Sequence, residues 1–468
     1  MPRISILFSI ILLAVAARAQ SDRIFSADEL RTDLQFHKTS IETYNPALGI
    51  FHNEASLGTV YDSLYNNLTE PMTDLEFFPY LVRLAAAIRE GHMRIGAARD
   101  TISTTFRGFF DGSFKYFPVT IEYVEEKARV WGNFSPDSTL QRGDQILRIN
   151  GEPVATIIER LEPYAITDGN IVAAKRSKVV QSFPSYYFWF YDRPQHFEIT
   201  FKSDRREDVR KVTLPALNRD SMIAWRDARY GKPQRKETTL SDVYELTIQE
   251  KVAHLRLKSF NRELMERFEV KPKRLYESIF KKLSQQNVEH LILDLRGNTG
   301  GRKEYAQEIL PFLIKNPREG VVLRSLSWKG RWKDSHFPQQ SKWAFQGMLY
   351  VLTNTETFSN GSVVAAYAAE YGDAVVIGEE TASRFEGFAA GSRQWVTLPH
   401  TRIPVGIPRY LFVISNQMTG QSTRNRGVLP DYPVTYTWED LLEERDRHQE
   451  KVDWLINGEL TEEVKRKN

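Results

Sequence analysis

Two short apolar segments end in residues suited to acyl-transfer chemistry. One runs into the glycine-rich turn Gly297–Gly301, and the other ends just before Ser359, ahead of an alanine-rich stretch typical of a helix. Buried parallel strands deliver such loops to the carboxyl edge of a sheet, where α/β proteins keep their reactive groups. A serine at a strand-to-helix turn, beside bare backbone N–H groups, offers a nucleophile and an oxyanion hole. The candidate donors are the N–H group of Gly300 or Gly301 and that of Asn360.

Both segments also have a plain structural interpretation. A serine at the end of a strand often caps the following helix, although a helix N-terminus at Ser359 would also favour negative charge at the reacting centre. The glycine loop could equally be a tight turn. It fits neither G-x-G-x-x-G nor G-x-x-x-x-G-K-[ST], which disfavours phosphate binding.

His92 is the candidate general base. It follows Glu90-Gly91 at a point where a helical pattern breaks, which is expected to expose the ring on a loop. A lone histidine is more often structural, and the chain has nine. It has neither an H-E-x-x-H motif nor a cysteine, so a zinc hydrolase is disfavoured, and disulfides and a thiol nucleophile are excluded. We expect no metal and no organic cofactor.

The elements that must position these residues predict a multidomain α/β protein. Apolar spacing predicts a helical N-terminal region over 20–100 and short β runs over 101–220. Strands alternate with helices over 221–440, which implies a core with a largely parallel sheet, and the charged tail 441–468 is expected to be helical. We find no internal repeat.

The β-rich segment carries a string of turns and strands that resembles a PDZ domain. Gly143-Asp144 precedes an apolar strand, and Asn150-Gly151 links that strand to the next. Any hairpin with an Asn-Gly turn is the alternative. PDZ domains bind an extended peptide by strand addition at a sheet edge. The six consecutive aromatic residues Tyr186–Tyr191 predict a buried strand or a seam between domains, with a hydrophobic peptide groove as the alternative.

Chain length, net charge and the N-terminal segment limit the cellular location and the partners that the protein can have. At 468 residues the chain is long enough for two or three domains, and its net charge of +3 argues against nucleic acid as a principal partner. Residues 1–19 have a basic start, a short apolar stretch and an A-x-A ending, which predicts a cleaved signal peptide, with a membrane anchor as the alternative. We therefore expect an exported protein, periplasmic or secreted, with no stable membrane insertion after cleavage.

The order of the motifs resembles the C-terminal processing (tail-specific) serine protease family. The motifs are Glu-Gly-His, the PDZ-like segment, Asp294-Leu-Arg-Gly-Asn-x-Gly-Gly, Thr357-x-Ser-Asn, Gly-Glu-Glu-Thr and Gly427-Val-Leu-Pro-Asp. The resemblance implies that Ser359 is the nucleophile, with Asn360 and Gly300 or Gly301 as the oxyanion hole.

Two branches of this family differ in the residue that acts as the general base for the serine. The branch with a serine–lysine dyad has its lysine where this chain has Arg384, and arginine does not lose its proton in a protein. The tricorn-like branch uses a histidine, which His92 matches. Its orienting glutamate is missing here, because 423–426 contains no carboxylate. Glu380 or Glu379 is the expected substitute, and Glu90 the less favoured one.

The sequence therefore predicts a serine endopeptidase that cleaves extended or unfolded polypeptides, with Ser359, His92 and Glu380 as catalytic residues. Two alternatives stay open. One is a non-catalytic relative that binds peptides or apolar ligands, and the other is a hydrolase of non-peptide esters or amides. A hydrogen bond between the His92 Nε2 and the Ser359 Oγ is expected of an enzyme, whereas a binding protein does not need it.

Overall fold

A computed structural model describes residues 23–51, 54–96, 106–203, 208–234, 236–315, 321–336, 339–414 and 425–467. The predicted signal peptide, residues 1–19, lies outside them. Among the described residues, no helix combines the length and the apolar character needed to cross a bilayer.

The N-terminal region is helical, as predicted. Capping boxes start its two main helices, because Ser26 pairs with Glu29 and Thr73 with Glu76. Its apolar core also takes in residues of a later strand, Val405 among them, so this region does not fold on itself alone. The elements are β1 (Ile24–Phe25), α1 (Ala27–Tyr44), α2 (Glu54–Asn67), β2 (Met72–Thr73), α3 (Asp74–Ala87) and β3 (Arg94–Ile95).

The next region is built on an antiparallel sheet with its own buried core. At its hairpin Asn150 and Gly151 both have positive φ, 47° and 82°, as a two-residue Asn-Gly turn requires. The elements are α4 (Arg107–Phe110), β4 (Lys115–Tyr116), β5 (Val119–Val124), β6 (Lys127–Asn133), β7 (Gln145–Ile149), β8 (Glu152–Pro153), α5 (Val154–Leu161), a 3₁₀ turn (Glu162–Tyr164), α6 (Val172–Gln181), α7 (Phe183–Phe190), β9 (His196–Lys202), β10 (Val209–Pro215), β11 (Leu217–Asn218) and α8 (Arg219–Tyr230). The strand order is β10-β9-β7-β6-β5, so β10 and β5 form the edges.

Five residues of the aromatic run, Tyr186–Phe190, belong to a helix and not to a strand, and Tyr191 follows the end of that helix. Tyr187 is buried in the core of the β-rich region, whereas Trp189 packs against the N-terminal core. The seam was therefore predicted correctly and the secondary structure was not. The large rings of this helix face two cores at once, because helical side chains point in all directions around the axis.

The remaining elements build the α/β core and the tail. They are a 3₁₀ turn (Leu240–Asp242), β12 (Tyr244–Gln249), β13 (Val252–Leu257), α9 (Arg262–Arg267), α10 (Pro272–Gln285), β14 (His290–Asp294), α11 (Lys303–Gln307), α12 (Leu310–Leu313), β15 (Val321–Ser327), β16 (Trp332–His336), β17 (Met348–Thr353), α13 (Asn360–Tyr371), β18 (Val375–Gly378), β19 (Gly387–Thr397), β20 (Pro404–Val413), β21 (Tyr432–Pro433), α14 (Trp438–Leu442) and α15 (Arg447–Lys467).

The main sheet has the order β12-β13-β14-β17-β18-β21, and all its pairs except β12–β13 are parallel. This confirms the prediction of an α/β fold with a largely parallel sheet. Every residue of β14 is buried, as expected of a strand covered on both faces. The chain end also packs here, because α15 places Val452 and Ile456 in an apolar cluster with Ile292 and Tyr350 of the sheet.

A second sheet was not predicted. Its strand order is β16-β15-β20-β19, and β3 of the N-terminal region pairs with β20. The pairing of Val405 with Ile95 sets the segment that contains His92 beside this sheet. The second sheet thus joins the N-terminal region to the core.

Candidate active site

Ser359 lies at the turn between β17 and α13, in an unusual backbone conformation. Its φ is 54° and its ψ is −125°, a region that non-glycine residues rarely adopt. Ser359 occupies the N-cap position, but its side chain makes no capping hydrogen bond. Its backbone N–H donates to the Ser383 Oγ instead, at 2.8 Å. The hydroxyl is therefore not used as a helix cap and remains available for chemistry.

The glycine loop packs directly against this turn. A Cβ on Gly300 would lie 2.7 Å from the Ser359 Cβ, and one on Gly301 would lie 2.1 Å from the Phe260 carbonyl oxygen. The buried Asn298 side chain accepts the Gly300 N–H at 2.8 Å and donates to the Leu257 carbonyl at 2.8 Å. The loop is thus held by its own asparagine at a distance that only glycine permits.

These contacts distinguish the Gly300 N–H from the Gly301 N–H as candidate donors in the oxyanion hole. The Gly300 N–H is already bonded to Asn298, whereas that of Gly301 makes no hydrogen bond among the described residues. Asn360 is the first residue of α13, where backbone N–H groups have no helical acceptor. Its side chain donates to the Gly301 carbonyl at 2.7 Å and ties the two segments together. The geometry therefore favours Gly301 and Asn360 as the donor pair.

The His92 ring lies against Ser359, with 3.1 Å between its Nε2 and the Ser359 Oγ. It is sandwiched between two phenyl rings, that of Phe358 at 4.7 Å and that of Phe388 at 5.3 Å between centroids. The buried Nδ1 has no hydrogen-bond partner among the described residues. Stacking thus does the orienting that a carboxylate does in many serine hydrolases.

The charges around His92 favour its neutral form. Burial, followed by the nearby Arg94 and Arg393, lowers the pKa of His92 to about 3. Arg393 also donates to the His92 carbonyl at 2.8 Å and holds the backbone of the turn. The neutral imidazole has the free lone pair that a general base needs, and the same surroundings make it a weaker base than a free histidine.

Arg384, the residue expected in place of the dyad lysine, forms a buried ion pair with Glu90. Both side chains are fully buried, and the nitrogen–oxygen distance is 3.0 Å. Arg384 also donates to the Arg89 carbonyl, and the other Glu90 oxygen accepts the Ala389 N–H. The pair fastens the turn before His92 to the core, so Arg384 positions the histidine in place of a lysine base.

Asp168 provides a second anchor for the same turn. Its Oδ1 accepts the Gly91 N–H at 2.6 Å, and the Gly169 N–H donates to the Arg89 carbonyl at 3.0 Å. Burial and the neighbouring charge of Glu90 raise the pKa of Asp168 to about 7. The segment before α6 thus braces the histidine from the β-rich region.

The glutamates expected to orient His92 bond to other groups. Both Glu380 oxygens pair with Arg426 at 2.7 Å, and one also accepts the Gly427 N–H. Glu379 accepts the Thr355 N–H, and Glu90 is held by Arg384. Among the described residues, none of the three donates to or accepts from the His92 Nδ1.

Ser359 and His92 open onto a cleft of about 1080 Å³. One wall comes from α6 of the β-rich region, and another from the β15–β16 hairpin and β20. No group of three or more histidine, aspartate or glutamate side chains in the described part of the chain is arranged to hold a metal ion. The arrangement is suited to acyl transfer.

Residues 251–434 match the sequence profile of peptidase family S41. The chain carries a peptidase family S41 domain. It is accordingly a serine-type peptidase, and the predicted resemblance to tail-specific proteases is confirmed. The S41 domain contains Ser359 and the glycine loop, whereas His92 lies outside the matched residues.

Solved structures with the same fold cover nearly the whole described chain. Mature CPAF superposes with a TM-score of 0.61 at 15% identity, over 91% of this chain and 96% of CPAF. Mature CPAF complexed with lactacystin gives 0.63 at 15% identity, over 92% and 97%. At this identity the likeness shows the fold. It extends beyond the S41 domain into the N-terminal and β-rich regions.

Several residues that hold the site were not singled out from the sequence, among them Arg393, which donates to the His92 carbonyl. Phe358, Phe388, Asp168 and Ser383 hold His92 or Ser359, but each reaches the site through the tertiary fold. Only Phe358 carried a usable signal, because it adjoins Ser359 within a recognised motif. A buried aspartate in a loop has no local pattern that distinguishes it from a turn residue.

Proposed function

We propose that the protein is an exported serine endopeptidase that cleaves extended or unfolded polypeptides through an acyl-enzyme. The observation that carries this proposal is the 3.1 Å contact between the His92 Nε2 and the Ser359 Oγ. This contact was the feature expected of an enzyme and not required of a binding protein. The same function is supported by the Ser359 hydroxyl, which caps no helix, and by the Gly301 and Asn360 N–H groups, which have no acceptor among the described residues.

In the proposed first step, His92 takes the hydroxyl proton as Ser359 Oγ attacks the substrate carbonyl carbon. The carbonyl oxygen becomes an oxyanion and accepts hydrogen bonds from the Gly301 and Asn360 N–H groups. One such donor typically contributes about 3–4 kcal/mol to the transition state. His92 then gives its proton to the leaving amine, and an acyl-enzyme remains on Ser359.

Water completes the proposed cycle. With the amine gone, His92 accepts a proton from a water molecule, which attacks the acyl carbon. The proton returns to Ser359 Oγ as the ester breaks. The steps require neither Glu380 nor Arg384 as an acid or base, because Glu380 is paired with Arg426 and Arg384 stays protonated.

The substrate class is inferred from the cleft and its surroundings. The cleft is open, and its wall from α6 belongs to the β-rich, PDZ-like region. The edge strands β5 and β10 of that region are the places where an extended peptide would add as a strand. Export rests on residues 1–19, and the expected mature N-terminus is Gln20.

Covalent labelling tests the chemistry. We expect the wild-type protein to react with a fluorophosphonate probe, Ser359→Ala to lose the label, and His92→Ala to label far more slowly. Circular dichroism of each variant controls for folding. Labelling unaffected by His92→Ala would remove the histidine from the mechanism. A folded wild-type protein that neither labels nor cleaves unfolded protein would favour the binding alternative.

A further inference from the structure

We propose that the cleft beside His92 contains a subsite for a carboxylate of the polypeptide substrate, formed by Lys178 and Arg94. This proposal rests on the peptidase function above and specifies its substrate. The carboxylate is an acidic side chain near the cleaved bond, whose two oxygens face the two cations.

Lys178, on α6, is the first part of the subsite. It lines the same cleft as Ser359 and His92. Its ammonium group donates to the Ile166 carbonyl at 2.7 Å and forms no ion pair among the described residues. Burial lowers its pKa to about 8, so the group is still mostly charged at neutral pH. A largely buried cation with one neutral acceptor is poorly compensated unless a ligand completes its contacts.

Arg94, on β3, is the second part. It lines the cleft two residues after His92. Its Nη1 donates to the Gly91 and Met93 carbonyls, at 2.9 and 2.8 Å, and these are neutral acceptors. In the described part of the chain, its Nε and Nη2 make no hydrogen bond and the guanidinium has no carboxylate partner. Arginine retains its charge in this setting, and its remaining donors suit the two oxygens of a carboxylate.

The nearby acidic groups do not neutralise this pair. Asp168 lies close enough to act on both cations, but its Oδ1 bonds to the Gly91 N–H and its pKa is raised to about 7. At neutral pH it is therefore partly protonated. Glu90 forms an ion pair with Arg384. The Glu356 carboxylate accepts a hydrogen bond from the Gln181 side chain at the cleft wall.

The remaining charged groups strengthen the case for an anionic ligand. Arg393 faces the His92 turn from β19 and donates to the His92 carbonyl. The opposite side of the cleft adds three cations and one anion, which are Arg302, Lys303, Lys333 and Glu304. Positive charge thus exceeds negative charge around the reacting serine.

A bound carboxylate would also act on the chemistry. Arg94, Arg393 and Lys178 all disfavour the protonated form of His92. An anion placed on Lys178 and Arg94 offsets that effect and stabilises the imidazolium that forms when His92 takes the serine proton. An acidic substrate is therefore expected to raise kcat as well as lower KM.

The test is a cleavage-site survey with a peptide library made by digesting a proteome, read by mass spectrometry. Wild type is compared with Lys178→Met, which keeps the chain length and removes the charge. The matched control is Lys175→Met, on the same helix but outside the cleft lining. Each digest is repeated with peptides whose C-termini have been amidated.

For wild type we expect cleavage sites with aspartate or glutamate at one fixed position to be enriched about tenfold over neutral residues. Lys178→Met should lose this enrichment, and Lys175→Met should keep it. Amidation of the peptide C-termini should leave the enrichment unchanged. Cleavage at a fixed distance from the chain end that stops on amidation would show recognition of the C-terminus and would overturn the subsite for an acidic side chain.

Two further outcomes would overturn it. Cleavage without acidic preference would remove the subsite while leaving the peptidase function intact. A preference that survives in Lys178→Met would assign the carboxylate to other residues. If wild type neither cleaves nor takes the fluorophosphonate label, the proposed function fails first and the subsite with it. Lys178→Glu sharpens the test, since it should shift the preference from acidic to basic side chains at the same position.

Discussion

The turn that carries Ser359 and the turn that carries His92 meet at one hydrogen bond, but they are held by different kinds of contact. Around Ser359, the Phe358 N–H bonds to the Asn298 carbonyl and the Ser359 N–H to a serine hydroxyl. These partners are neutral and belong to the same α/β core. Around His92, the anchors are Asp168, Arg384 and Arg393, charged residues that lie 77, 294 and 301 residues from their partners.

The two kinds of contact predict different responses to substitution. The position of Ser359, the proposed nucleophile, depends on backbone geometry at the carboxyl edge of a sheet, so it is expected to survive the loss of distant contacts. The position of His92, the proposed base, depends on buried charges that remote segments bring together, and a buried charge is costly once its partner is gone. The following variants test whether the two turns respond differently.

Arg384→Met is expected to have the largest effect. It leaves the fully buried Glu90 carboxylate without its cation, which should lower the free energy of unfolding by about 3–5 kcal/mol. His92 should lose its position, so fluorophosphonate labelling should slow to nearly the rate of His92→Ala. Urea titration and labelling rates measure the two effects.

The control for this variant is Arg426→Met, which breaks the more exposed pair with Glu380. Exposed pairs contribute about 0–1 kcal/mol, so stability and labelling should change little. Equal losses in the two variants would refute the special role of the buried pair. A large loss of labelling in Arg426→Met would indicate that Glu380 does take part in the reaction, as the sequence predicts.

Asn298→Ala tests the half of the site that carries the nucleophile. It leaves the Gly300 N–H and the Leu257 carbonyl buried without partners, at a cost of about 1–3 kcal/mol in stability. Because the Gly301 N–H shares this loop, kcat should fall more than KM changes. Asn218→Ala, which removes the N-cap of α8 and lies outside the cleft lining, is the matched control and should leave kcat unchanged. A fall in kcat of the same size there would argue against a specific effect of the loop.

The pH profile tests the charges around His92. A general base works in its neutral form, and the pKa of His92 is lowered to about 3. We expect kcat/KM to hold down to about pH 5, where a histidine with the usual pKa of about 6.5 would be only about 3% neutral. A fall in kcat/KM as the pH drops through about 6.5 would contradict this expectation.

Asp168 titrates in the same range and needs its own control. Its pKa is raised to about 7, so it gains a proton as the pH falls towards 5. Asp168→Asn mimics the protonated form at every pH. If protonation of His92 causes the fall in kcat/KM at low pH, the fall should occur at the same pH in Asp168→Asn. If protonation of Asp168 causes it, the fall should disappear in this variant.

Ser359→Gly should have the smallest effect on stability, and in the opposite direction. Glycine adopts the backbone conformation of Ser359 without strain, so the free energy of unfolding should rise by about 0.5–1 kcal/mol while activity is lost. Ser359→Ala retains the strain and should show no such gain. Thermal unfolding distinguishes the two, and equal stability would show that the turn is not strained.

Much of the core could be predicted from local patterns. The parallel strands were recognised because continuous apolar runs ending at Gly or Ser mark buried strands at the edge where chemistry occurs. Within the region predicted to alternate strands and helices, α11 and α12 are two short helices and not one, because Pro311 starts the second helix and does not continue the first. The sheet of β15, β16, β19 and β20 was missed, since its long strands carry no clean alternation of apolar and polar residues.

The amino-acid sequence was sufficient for the candidate nucleophile, the glycine loop, the candidate base and the family, because each of these lies in a short motif whose spacing reflects local backbone geometry. It did not reveal what holds the base. His92 stacks between Phe358 and Phe388, and Arg384 pairs with Glu90. Lys178 lines the same cleft as these groups. All these contacts join residues that are far apart in the chain. Such contacts exist only once the separate regions have packed together, since side-chain charges and rings have no fixed relation to each other along an unfolded chain.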